Sequence, residues 1–153
     1  MKEGTILKIY TAGAMEAYAG TNVAELWRKE VKEFFGNIDS NIKIINPTDY
    51  YAYGSNLHKS EQEIFKFDLR KVKESDVLFV NLNNIRNSIG TCIECYEAYK
   101  SSIPVIGFIE KDCTLEELTK IIHPWIYCCM DRIETGDDAM NKAMMYIKDY
   151  YCY

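Results

Sequence analysis

A carboxylate near the start of a helix is the group in this chain best suited to chemistry. The segment Ser88-Ile-Gly-Thr-Cys-Ile-Glu94 follows an apolar strand, Val77–Val80, and opens a helix. A glycine turn at Gly90 lets the backbone approach a ligand, and a new helix offers free N–H groups and the positive end of its dipole. We expect Glu94 in the first turn, facing the crevice where α/β sheets bind ligands. Glu94 is therefore a candidate nucleophile or acid–base group.

Glu94 has a purely structural alternative. Thr91-x-x-Glu94 fits a capping box, in which Thr91 is the N-cap and Glu94 accepts a hydrogen bond from its backbone N–H. Such boxes are common helix starts, so this segment alone leaves both interpretations open.

A second carboxylate interrupts an apolar pattern. On a helix expected from about Glu61 to Glu74, Asp68 falls within a stripe of apolar residues, namely Ile64, Phe65, Leu69 and Val72. A carboxylate on an apolar face is unfavourable unless it is paired or used. The alternative is an aspartate at the helix edge that reaches solvent or pairs with Arg70 or Lys71.

Further candidates lie at the carboxyl ends of the first and third strands. Tyr10 ends the first strand and leads into Thr11-Ala-Gly-Ala-Met15, where Gly13 permits a turn against a planar ligand. Asn81 ends the third strand near the same crevice. Tyr10 has the alternative role of a core aromatic with its hydroxyl at the rim.

Strands and helices alternate along the chain, which predicts an α/β fold with a parallel sheet and right-handed crossovers. The expected strands are 5–12, 42–46, 76–82, 103–109 and 126–129. The expected helices are 22–35, 61–74, 91–101, one from 114, and a last one that carries Met140, Ala143, Met144, Ile147 and Tyr151. No second domain or linker is evident, so a single domain over 1–153 is expected.

Composition narrows the function. A net charge of −5 without a basic run argues against a nucleic-acid polymer as partner. No apolar run approaches the ~20 residues of a membrane span, and the first residues lack a signal-peptide pattern, so no membrane partner and a cytoplasmic location are expected.

The six cysteines are expected to be reduced thiols. Cys92-x-x-Cys95 has a redox or half-zinc spacing but lacks a matching second pair, and His58 and His123 are isolated in sequence. We therefore expect no metal and no cofactor.

Three segments together resemble nucleoside 2-deoxyribosyltransferases. They are Lys8-Ile-Tyr-Thr-Ala-Gly13, Asp68-Leu with Ser75-Asp76, and Gly90-Thr-Cys-Ile-Glu94, followed by the strand Ile103-Pro-Val-Ile106. The resemblance covers nearly the whole chain. It implies a flavodoxin-like (Rossmann-like) five-stranded sheet of order 2-1-3-4-5, helices on both faces, and a homo-oligomer.

The resemblance also implies roles for individual residues. Glu94 matches the nucleophile that attacks the anomeric carbon of 2-deoxyribose, Tyr10 the tyrosine that orients it, and Asp68 the proton donor to the leaving base. A carboxylate that traps an oxocarbenium-like transition state while an acid assists the leaving group suits glycosidic cleavage. The implied substrate-binding residues are Gly13, Met15, Asn81, Ser88, Gly90 and, from a neighbouring subunit, Tyr153.

One departure from the family leaves two activities open. The transferases often carry an aspartate where this chain has Ser88, whereas Ser-x-Gly-x-x-x-Glu resembles the related 2′-deoxynucleoside 5′-monophosphate N-hydrolases. A hydroxyl at a helix N-terminus suits a phosphate, although Ser88 has the simpler role of an N-cap. The loop after Tyr10 has no arginine to meet a phosphate, and Arg28 lies deep in the first helix.

We therefore place the transferase first, acting on a 2′-deoxynucleoside and a free nucleobase, with the hydrolase as the alternative. The alternative of another class is a non-catalytic nucleoside- or nucleotide-binding sensor, in which Glu94 is only a cap or a sugar-hydroxyl acceptor.

Overall fold

The computed structural model describes residues 4–52, 55–56 and 59–152. The strands are β1 (Leu7–Ala12), β2 (Ile42–Ile45), β3 (Tyr51–Ala52), β4 (Ser55–Asn56), β5 (Val77–Asn81), β6 (Val105–Ile109) and β7 (Arg132–Thr135). The helices are α1 (Val23–Gly36), α2 (Glu61–Lys73), α3 (Ile89–Lys100), α4 (Leu115–Ile121), α5 (Pro124–Tyr127) and α6 (Ala139–Tyr151).

The main sheet is parallel throughout and has the order β2-β1-β5-β6-β7. Counted along this sheet alone, the order is 2-1-3-4-5, so the flavodoxin-like fold is confirmed. β3 and β4 form a separate antiparallel pair in the tyrosine-rich segment. The order of strands changes direction between β1 and β5, where a crevice opens at their carboxyl ends.

Each face of the sheet has its own apolar core. Trp27 and Phe35 of α1 and Ile147 of α6 pack on one face. Val72 of α2 and Cys95 of α3 pack on the other. Burial on both faces explains why β5 and β6 are apolar along their whole length.

The expected fifth strand over 126–129 is wrong. Pro124 begins α5 instead, and His123 caps that helix because its Nδ1 accepts a hydrogen bond from the backbone N–H of Trp125 at 3.1 Å. Proline is favoured in the first turn of a helix, since its fixed φ suits the helix and its missing N–H is not needed there. The strand that completes the sheet is β7, at the sheet edge.

Candidate active site

The helix that carries Glu94 begins earlier than the sequence suggested. Ser88 is the N-cap of α3, because its Oγ accepts a hydrogen bond from the backbone N–H of Thr91 at 3.4 Å and lies 2.6 Å from the Thr91 hydroxyl. Glu94 is therefore the sixth residue of α3 and belongs to its second turn. The expectation of a first-turn Glu94 and the Thr91–Glu94 capping box are both wrong, and the Glu94 side chain is not needed by the helix start.

A cleft of about 560 Å³ lies beside this helix. Three segments line it: the loop that follows β1, one face of α2, and the first turns of α3. Both Glu94 and Asp68 contribute to its wall. The cleft therefore brings the two candidate catalytic carboxyls together from different helices.

Glu94 is held in an environment that disfavours its charge. The pKa of its carboxyl is raised to about 8, mainly by burial and also by the negative charge of Asp68, while a hydrogen bond from the Tyr10 side chain and the charge of Arg28 oppose the rise. The free protein therefore keeps a proton on Glu94 at neutral pH. Such a strongly shifted carboxyl in a cleft is typical of functional sites.

Asp68 lies on a half-buried face of α2. The apolar stripe expected around it is not core: Phe65 is 51% exposed, and of the four stripe residues only Val72 is fully buried. Ile64, Phe65 and Leu69 line the cleft with Asp68. The prediction of a buried stripe is therefore wrong, because most of this face lines the cleft.

Tyr10 combines the two roles considered for it. The residue is 1% exposed and belongs to the core beneath α3, yet its hydroxyl bonds the Glu94 side chain. Its strand neighbours on both sides, β2 and β5, hold its backbone in the sheet. The hydrogen bond to Glu94 therefore comes from a strand that is paired on both sides.

Arg28 is a functional candidate that the sequence analysis set aside. Its guanidinium is buried below the loop after β1, where it donates hydrogen bonds to the backbone carbonyls of Ala24 at 2.8 Å, Gly13 at 3.2 Å and Thr11 at 3.4 Å. It does not line the cleft, but its charge favours ionisation of Glu94. In the sequence, Arg28 lies four residues after Ala24 and three before Val31, within the apolar stripe of α1. A charged residue within such a stripe is the signal that could have identified it as a candidate.

The remaining candidates divide by position. Gly13, Met15, Ser88 and Gly90 line the cleft. Gly90 is not a turn residue but the second residue of α3, and a Cβ there would meet nothing within 4 Å, so it leaves the helix start open.

Two candidates lie elsewhere. Asn81 is 8% exposed and lies below the loop after β1, where its Oδ1 accepts hydrogen bonds from the backbone and side chain of Asn83. It is not among the residues that line the cleft. Tyr153 lies outside the described residues.

The charged residues that line the cleft are all acidic within the described ranges: Glu16, Glu61, Asp68 and Glu94. No group of three or more His, Cys, Asp or Glu suited to a metal ion occurs in 4–52, 55–56 and 59–152. In the same ranges no helix is long and apolar enough to cross a membrane.

Solved structures share this fold, although no known family profile and no curated protein matches the chain. A conserved protein from Enterococcus faecalis V583 aligns over 93% of this chain and 99% of its own, with 16% identity and a TM-score of 0.63. BlsM aligns over 99% of this chain and 97% of its own, with 15% identity and a TM-score of 0.65.

A 2-deoxyribosyltransferase from the psychrotolerant bacterium Bacillus psychrosaccharolyticus is a third such structure. It aligns over 90% of both chains, with 20% identity and a TM-score of 0.55. At these identities the likeness shows that the flavodoxin-like fold is shared along nearly the whole chain.

Proposed function

We propose that this protein is a nucleoside 2-deoxyribosyltransferase, which moves 2-deoxyribose from a 2′-deoxynucleoside to another nucleobase. The observation that carries the proposal is the pair of carboxyls, Glu94 on α3 and Asp68 on α2, that share one cleft wall while Tyr10 bonds Glu94 from below. The fold shared with a 2-deoxyribosyltransferase supports it.

The first half-reaction breaks the glycosidic bond. An ionised Glu94 oxygen attacks the anomeric carbon, the bond from that carbon to the base nitrogen breaks, and its electron pair leaves with the base. Asp68 donates a proton to the base, so that the base departs neutral. The product of this step is a deoxyribosyl ester on Glu94.

The second half-reaction reverses the first with a different base. A nitrogen of the incoming base attacks the anomeric carbon, the ester bond to Glu94 breaks, and the proton of the incoming base passes to Asp68. Glu94 is then ionised and Asp68 protonated, which is the reactive form of the pair; the free protein reaches it when the proton held by Glu94 passes to Asp68. Water in place of the base would give hydrolysis.

The two carboxyls of the cleft make the state with an ionised Glu94 and a protonated Asp68 accessible. Because the charge of Asp68 opposes ionisation of Glu94, the pair disfavours a double negative charge and retains a proton near neutral pH. The Tyr10 hydrogen bond and the Arg28 charge both favour the form in which Glu94 is the ionised member.

The acidic lining favours an uncharged substrate. A phosphate dianion would meet Glu16 and Glu61 as well as the catalytic pair, and the described lining residues include no lysine or arginine. The monophosphate hydrolase stays the second candidate because α3 has no acidic residue in its first turn and Ser88 stands at its N-terminus.

Incubation with a 2′-deoxynucleoside and a second free base tests the proposal. We expect base exchange, detected by chromatography, and a mass increase of one deoxyribosyl group on Glu94 when the second base is withheld. A monophosphate hydrolase would release base only from the monophosphate, and a sensor would bind without turnover. Either result would replace the transferase proposal.

A further inference from the structure

An ion pair between an exposed lysine and a buried glutamate joins the two helices that carry the proposed catalytic carboxyls. Lys73, the last residue of α2, lies with its Nζ 3.3 Å from Oε1 of Glu97 on α3. The other Glu97 oxygen, Oε2, is 2.9 Å from Nζ of Lys100, one turn further along α3. Glu97 therefore has one partner across the helix interface and one on its own helix.

Glu97 lies where a carboxylate is not expected. The residue is only 5% exposed, whereas both lysine side chains are more than half exposed. The hydrogen bond from Lys100, and less strongly that from Lys73, lowers the pKa of Glu97 against the opposing effect of burial, so Glu97 stays charged. A buried charge is retained only where its partners hold it, which makes this site sensitive to the loss of either lysine.

We infer that the Lys73–Glu97 pair is a clamp between α2 and α3 that sets the separation of Asp68 and Glu94. Glu97 lies one turn after Glu94 on α3, and the Lys73 side chain at the end of α2 reaches it, so the clamp links the same two helices that carry Asp68 and Glu94. The two helices pack directly against each other. The inference rests on the proposed function for its kinetic consequence only; the geometry of the clamp does not depend on it.

The two lysines provide a matched pair of variants. Lys73→Met and Lys100→Met each remove one partner of Glu97, with the same change in charge and similar side-chain exposure. Only Lys73→Met removes an ion pair that joins α2 to α3. We expect Lys73→Met to lower kcat roughly tenfold with little change in KM, since small errors in placing an acid group slow the chemical step, and Lys100→Met to stay within about twofold. Lys73→Arg should restore kcat.

A second measurement does not require turnover. The Glu94 carboxyl can be titrated by ¹³C NMR in wild type and in both variants. The groups that act on it are Tyr10, Asp68 and Arg28; the Glu94 charge in turn raises the pKa of the neighbouring Cys95 thiol. If α2 moves away, water enters and Asp68 recedes, so the pKa of Glu94 falls; loss of a lysine charge alone would raise it.

The outcomes separate the two claims. A fall in the Glu94 pKa in Lys73→Met and not in Lys100→Met supports the clamp, even in a protein without transferase activity. Equal effects of the two methionine variants, or wild-type kcat and titration in Lys73→Met, overturn it. Absence of base exchange in wild type overturns the proposed function alone.

Discussion

Two helices wall the cleft, and each begins at a serine whose hydroxyl accepts a backbone hydrogen bond. In α2, Ser60 accepts from Glu63, and Glu63 in turn accepts from the backbone N–H of Lys59 at 2.6 Å. In α3, Ser88 accepts from Thr91, a hydroxyl residue at the position that Glu63 holds in α2. The first turn of α2 has acidic residues, and that of α3 has none.

The difference shows how a carboxylate is released from a structural role. At α2 the side chain of Glu63 accepts a hydrogen bond from a backbone N–H, that of Lys59, and its charge is favoured by the positive dipole end of its own helix. At α3 the hydroxyls of Ser88 and Thr91 meet the helix start, and Glu94, three residues later, is directed to the cleft. Similar helix starts therefore yield a cap in one case and a candidate nucleophile in the other.

The largest effect is expected when a glutamate is replaced by glutamine in each of the two helices, Glu94 in α3 and Glu63 in α2. We expect Glu94→Gln to reduce base exchange by three orders of magnitude or more, because the covalent route is lost. Glu63→Gln should leave kcat within about twofold and lower the free energy of unfolding by about 0.5–1 kcal/mol. Steady-state kinetics and urea unfolding measure both, and near-normal exchange by a folded Glu94→Gln protein would rule out the mechanism.

Asp68→Asn tests the carboxyl that α2 directs to the cleft. The amide keeps the shape but cannot donate the proton that the base requires, so we expect kcat to fall about 10²-fold or more with a natural base. With a base that leaves readily the loss should be much smaller. If both substrates lose equally, Asp68 only positions the ligand.

The shifted pKa of Glu94 predicts how the rate depends on pH. The reactive form has one proton on the carboxyl pair, on Asp68, with Glu94 ionised, so kcat/KM of the free enzyme should stay level up to about pH 8 and fall about tenfold per pH unit above it, as that proton is lost. Arg28→Met removes a charge that favours ionisation, so this limb should move to higher pH, whereas Arg28→Lys should move it less. A profile that rises tenfold per pH unit up to about pH 8 would contradict the assignment.

The same group makes folding stability depend on pH. The pKa of Glu94 is about 8 in the folded chain, against the ordinary value of 4.5 in the unfolded chain. The contribution of Glu94 to the stability of the fold is therefore complete below about pH 4.5 and is lost as the pH rises to about 8. We expect Glu94→Gln, which does not titrate, to gain on the order of 5 kcal/mol relative to wild type across this range. Denaturant unfolding at several pH values measures the difference; a gap that does not widen with pH would argue against a buried, protonated Glu94.

Ser88→Asp gives α3 the acidic start that α2 already has. Aspartate is a good N-cap, so we expect exchange between nucleosides to stay within about threefold of wild type. If the natural substrate carried a 5′-phosphate, the added charge would meet it beside the helix N-terminus and kcat/KM would collapse. A strong preference of the wild type for monophosphates would contradict the acidic-cleft argument directly.

The main outline of the fold could be predicted because the buried strands are nearly uniform in character. β5 and β6 are apolar nearly throughout and bounded by polar residues. The edge strand β7 begins with the exposed Arg132 and has no continuous apolar run, so its sequence does not indicate a buried strand. The apolar run at 126–129 has more of the character of a buried strand than β7 has, although Pro124 favours a helix start there.

The residues of the candidate site could be chosen from the sequence, but their exact positions on the helices could not be predicted. Asp68 could be identified because it interrupts an apolar stripe, and Glu94 because it lies near the start of a helix that follows an apolar strand. The register of α3 depended on which of two hydroxyl residues, Ser88 or Thr91, is the cap, and both are good caps. Arg28 breaks the stripe of α1 as Asp68 breaks that of α2, yet its partners are backbone carbonyls, which leave no mark in the sequence.

Close packing at Gly13 gives the protein an optical reporter of its own. A Cβ on Gly13 would lie 2.9 Å from the Trp27 ring, so that indole lies directly behind a residue that lines the cleft. The rings of Phe79 and Phe108 and the Arg28 guanidinium also contact it. The second tryptophan of the chain, Trp125, is 80% exposed. Buried and solvated indoles emit at different wavelengths, so the blue component of the intrinsic fluorescence should follow occupancy of the cleft without a label.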